Sequence, residues 1–184
     1  MNQIQEIVPA SATAELTAEE WAQRLQGTNI NSSTLLATDY LNHFNEVIML
    51  IEMLADMPDM LDEVLAWEPK SYRQHFADSG FKDSDLAIEA YNCAPDRIAA
   101  QFDALVACLD GHVLKSQERY PGLVADMPPE MLAEDISNTV DKLHRLVEMI
   151  SNVINGSGTN AIQDYAAEAP PGGNSAQDEI DALF

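Results

Sequence analysis

Positive charge is scarce in this chain. Nine Lys and Arg residues face 31 Asp and Glu, for a formal net charge of −22. A field of that sign repels phosphate backbones and anionic lipid, so neither nucleic acid nor membrane insertion is expected. It favours a basic protein surface or a metal cation, and it also serves plain solubility. Cysteine is nearly absent: Cys93 and Cys108 stand outside any CxxC or ligand spacing. That pattern suits small buried thiols in a reducing cytoplasm better than a disulfide. No segment approaches the roughly 18 apolar residues a membrane span needs. The first residues lack the basic region and long apolar core of a signal peptide, so the expected location is cytoplasmic. A Gly-rich phosphate loop, a nucleophile elbow, an HExxH pair and an EF-hand loop are all missing from the sequence. Aromatic residues make up only 7%.

What is present is helix-forming. Hydrophobic residues reach 46%, with few β-branched runs, and 184 residues suit one domain with a sizeable core. Thr17 begins "TAEE", in which Thr17 caps a helix and Glu20 reaches back; that helix should stop at Gly27. "NINSST" supplies caps for a long helix near 33–55, with Leu36, Tyr40, His43, Val47, Leu50, Ile51 and Leu54 at helical spacing. Pro58 opens a helix to about Trp67. Short helices follow, one ending at Gly80 and one capped by Asp83 or Ser84. Pro95 opens a long helix over 95–119, with Gly111 a candidate kink, and "YPG" should break the chain. Pro128 and Pro129 open a last long helix over 129–154, with Gly156 beyond its end. No segment alternates with period two, so no sheet is expected. The expected fold is therefore all-α, a helical bundle. It divides into an arm at 1–15, a helical domain at 16–155, a linker rich in Gly, Ser, Pro and Ala at 156–175, and a disordered acidic tail at 176–184.

Two sets of residues carry candidate chemistry. Four-helix proteins hold iron or manganese pairs with inward carboxylates and histidines one helical turn apart. Here His43 and Glu46 share one helix face, and Asp141 and His144 share another. These four are the ligands of an alternative reading, a metalloprotein of the di-iron or manganese type. Against it, a single His on an apolar helix usually packs through a hydrogen bond. Met49, Met53, Met57 and Met60 form a stripe that more often fills an irregular core than lines a binding groove.

The second set lies in the tail, "AQDEIDALF". In a helix Ile180, Leu183 and Phe184 fall on one face, while Asp178, Glu179 and Asp181 occupy the rest. So short a helix does not hold in water by itself. It suits docking into an apolar groove with a basic rim. Residues 176–184 resemble two peptides that dock on the receiver domain of CheY-type response regulators. One is the N-terminal peptide of FliM-type flagellar switch proteins. The other is the C-terminal tail of CheZ-type chemotaxis phosphatases. The resemblance implies a bacterial signalling protein that binds a CheY-type response regulator through Gln177, Asp178, Glu179, Ile180, Asp181, Leu183 and Phe184. A second copy of the chain, as a homodimer, is an alternative partner. The CheZ-type layout is also acidic and helical, with a linker before the tail. Its catalytic motif is Gln-Asp-x-x-Gly-Gln, and the nearest stretch here is "EDISNT" at 134–139. Asp135 matches the Asp that helps hold Mg²⁺. Asn138 replaces Gly, and Thr139 replaces the Gln that orients water. A Thr hydroxyl is too short for that task, so docking is expected with little or no catalysis. No cofactor of the chain's own is expected in this reading, since Mg²⁺ would sit in the partner receiver.

Overall fold

In a computed structural model, residues 16–158 are described. Among them lie seven α-helices: α1 (Ala18–Arg24), α2 (Asn42–Met53), α3 (Leu61–Ala66), α4 (Tyr72–Asp78), α5 (Ser84–Asn92), α6 (Asp96–Asp126) and α7 (Pro129–Ile154). The fold is all-α, as the composition implies. The described residues contain no strand; a single bridge pairs Ile30 with Ala37. The expected arm at 1–15 and the tail at 176–184 lie outside the described residues.

Local chemistry sets several helix ends. Thr17 accepts from the Glu20 backbone N–H at 3.3 Å, and Glu20 accepts from the Thr17 N–H at 2.7 Å, so the capping box of α1 is complete. Gly27, at φ +82°, follows it. At the far end of α7, Ser157 N–H donates to the Asn152 carbonyl at 2.9 Å and Gly156 N–H to that of Val153 at 3.1 Å. Gly156 sits at φ +76°, which completes a Schellman stop.

The helix expected from residue 33 starts later. A 3-10 turn covers Thr38–Leu41 and α2 begins at Asn42. The Asn31 side chain accepts from the N–H groups of Ser33 and Thr34 at 2.9 and 3.1 Å, a local bond that competes with helix. Leu35 takes a left-handed conformation at φ +61°. Distant groups then meet the loop. Thr34 Oγ1 donates to the Ile154 carbonyl, and Ala37 N–H donates to Tyr72 Oη at 2.8 Å.

"YPG" does not break the chain either: α6 runs through Pro121 to Asp126. Proline denies the Gln117 carbonyl its helical donor, and an interior proline costs about 3 kcal/mol. Neighbouring side chains hold the segment. Gln117 Nε2 donates to the carbonyls of Val64 and Trp67 at 2.7 and 2.8 Å, and Tyr120 is fully buried. Burial of the Tyr120 ring, together with the two Gln117 bonds, works against that cost.

Helices α6 and α7 therefore form a long hairpin turning at Met127–Pro128. Leu132, Ile136, Val140, Leu143, Leu146, Ile150 and Val153 are its buried stripe on α7. The scarce aromatics concentrate at the centre, where Tyr40, Phe44, Tyr72, Phe76 and Phe102 are all buried. No described helix is long and apolar enough to cross a membrane.

Candidate functional site on the α6–α7 hairpin

The hairpin register brings facing residues together about Met127. Helical spacing puts His112, Lys115 and Arg119 on one face of α6. It puts Asp135, Asn138, Thr139 and Lys142 on the facing side of α7. These residues line an open cleft of about 300 Å³. Three of the chain's nine Lys and Arg residues thus meet in one place, a local exception to an acidic surface.

Asp135, expected from the sequence resemblance to match the phosphatase-type Asp, is held here. Its Oδ1 is 2.7 Å from Arg119 Nη1. The same guanidinium donates to Thr139 Oγ1 at 3.2 Å, and the Thr139 hydroxyl donates to the Asp135 carbonyl at 2.9 Å. The Thr139 hydroxyl is thus engaged as both donor and acceptor. Asp135 Oδ2 is buried without a partner, as is the Tyr120 hydroxyl. Burial raises the Tyr120 phenol above its ordinary value, with the nearby Thr139 and Ser116 hydroxyls opposing. Chemically, the cleft offers a fixed carboxylate, one oxygen paired with Arg119 and the other buried, beside a cationic rim. Asn138 supplies an amide in the same cleft, where the CheZ-type motif has Gly.

The four candidate metal ligands part company. His43 is buried on α2; Glu46, Asp141 and His144 are exposed. Among the described residues no three His, Cys, Asp or Glu side chains form a group able to hold a metal ion. His43 instead stacks on Trp67, with ring centroids 4.8 Å apart. Its Nε2 is buried without a partner. Burial lowers its pKa to about 4, with His75 and Lys70 adding repulsion against an opposing backbone bond at Glu68. Trp67 donates from its indole N–H to the His43 carbonyl at 3.2 Å. Of the methionine stripe, Met49 and Met57 are exposed, while Met60 packs partly against the core.

The docking residues Gln177, Asp178, Glu179, Ile180, Asp181, Leu183 and Phe184 lie outside the described residues. The basic side chains of the cleft were missed in the sequence. Their signal was available: Lys115 and Arg119 are spaced i, i+4 in an acidic chain, and a two-proline turn places Lys142 opposite them. Comparison with protein-family models, with curated proteins and with solved structures found no match for this chain.

Proposed function

We propose that this protein is a helical signalling adaptor that captures the receiver domain of a CheY-type response regulator through residues 176–184. The observation that carries the reading is the tail pattern itself, with Ile180, Leu183 and Phe184 on one helical face among carboxylates. Two features of the body support it. The Schellman stop seals α7 locally, so the segment beyond Gly158 is not needed to cap it. The cleft around Asp135 also gives a captured domain a charged surface to meet. A spacer with the composition and length of 156–175 spans roughly 25 Å, so capture by the tail raises the local concentration of the partner at the hairpin. Asp135 then acts as a contact residue. Efficient dephosphorylation is not expected, because Thr139 is too short to position water and its hydroxyl is already engaged.

The test is a titration of the full chain with CheY-type receivers, with and without a phosphoryl mimic. Saturable binding that weakens at least tenfold in the Ile180→Ala, Phe184→Ala double variant is the expected result. Absence of binding to any receiver, or equal binding by the variant, overturns the reading. Phosphate release from the phosphorylated receiver should change little on adding the protein; a strong acceleration lost in Asp135→Ala would show a working phosphatase instead.

A further inference from the structure

A second cavity, also about 300 Å³, opens between α6, α4, α5 and the turn at Thr38–Leu41. Its walls hold much of the chain's small stock of aromatic residues. Tyr40, Tyr72 and Phe102 are buried. Tyr91 stacks on Tyr72 with centroids 4.7 Å apart and planes 18° from parallel. Four charged residues line the space: Lys70, Arg73, Asp103 and Asp110.

Three of these four are engaged. Lys70 Nζ is 3.0 Å from Asp78 Oδ2. Arg73 Nε donates to Asn92 Oδ1 at 2.9 Å, and its guanidinium lies over the Tyr91 ring at 5.2 Å. Asp103 accepts from the Tyr91 hydroxyl at 2.6 Å. The Tyr40 hydroxyl donates elsewhere, to the Lys70 carbonyl at 2.7 Å. Asp110 is the exception, with Oδ1 buried and unpartnered. A carboxylate oxygen buried without a donor is costly, and such an orphan calls for an explanation.

We propose that this cavity binds a small organic primary amine, with its ammonium on Asp110 and its apolar or aromatic body against Tyr40, Tyr72 and Phe102. An ammonium supplies the donor that Asp110 lacks, and the aromatic faces attract the cation. Cavities of this size, walled by aromatic side chains with a small number of placed polar groups, are the usual form of a small-molecule site. Burial raises the Asp110 carboxyl to about 7. The cavity therefore tolerates a neutral acid, and an arriving ammonium favours its ionised form. The inference does not depend on receiver docking, and deletion of 176–184 should leave amine binding unchanged.

Benzylamine is the probe, and benzyl alcohol its uncharged counterpart. Each is titrated into the full isotope-labelled chain and followed by amide NMR shifts. Saturable benzylamine binding is expected, with shifts centred on Tyr40, Tyr72 and Asp110. Affinity should fall roughly tenfold or more in Asp110→Asn, and benzyl alcohol should bind that much more weakly to the unaltered chain. Ala107→Leu, which fills the cavity and keeps Asp110, should abolish the shifts and guards against misfolding of the first variant. Equal binding of amine and alcohol, unchanged affinity in Asp110→Asn, shifts centred elsewhere, or no saturation would each overturn the assignment.

Discussion

Asp110 and Asp135 stand on the two arms of one hairpin, and their surroundings give them opposite chemistry. Asp135 faces an open cleft with a guanidinium 2.7 Å away. Asp110 faces an aromatic cavity, and its buried oxygen has no donor. The first is a carboxylate fixed by its partner. The second is a carboxyl on which burial acts unopposed, raising its pKa to about 7. Residue type therefore says little about either group; the helix packed against it decides.

The comparison breaks most severely if the aromatic wall is removed. Phe102→Ala should destabilise the fold by about 3–5 kcal/mol, measured by urea unfolding, because a fully buried ring leaves a cavity that helices on several sides cannot collapse into. A loss under about 1 kcal/mol would mean that the wall near Asp110 is loose.

Asp110→Asn should stabilise the protein in the alkaline range. The folded-state pKa is raised from the ordinary carboxyl value to about 7. Between those values the folded state holds more protons than the unfolded, so stability falls as pH rises. The amide cannot ionise, so the variant should gain about 1–3 kcal/mol at pH ~8 and nothing at pH ~4. Chemical unfolding at both pH values checks this, and a destabilised variant at pH ~8 would contradict the burial argument.

His43 supplies the opposite slope. Its folded-state pKa is depressed to about 4 by burial against Trp67. The unfolded state then binds more protons, and stability falls as pH drops from about 6.5 towards 4, by about 1–3 kcal/mol. Replacing His43 with Gln should flatten the acid limb of the stability curve while leaving the Asp110 limb intact. An unchanged acid limb would remove His43 as its source.

The smallest effect belongs to the cleft. Asp135→Asn should cost at most about 1 kcal/mol, because the Arg119 pair is partly exposed and screened by solvent. A larger loss that 0.5 M salt fails to reduce would show that Asp135 is structural rather than available to a partner.

Several elements were legible because their causes are local. The Thr17–Glu20 capping box and the prolines that open α7 act over one turn, as does the glycine that closes it, and α7 carries its apolar stripe at regular spacing. The start of α2 was not legible. Asn31 bonds the two N–H groups that a helix would need, and the loop it starts is completed by Ile154 and Tyr72 from far along the chain. Pro121 misled for a related reason, since its local cost is met by Gln117 reaching α3 and by Tyr120 in the core.

The candidate sites divide in the same way. Periodicity placed His43 and Glu46 on one turn, and Asp141 and His144 on another. It could not show that one would be buried against an indole and the other three exposed. By itself the sequence determined the helical class, the acidic surface, several helix ends and the amphipathic pattern of the tail, because composition, caps and short-range spacing suffice for these. Only the tertiary structure decided which carboxylates are paired, which histidine is buried and where α2 begins and α6 ends. Those outcomes depend on groups that meet across helices, and helical spacing is silent about the neighbour on the other side.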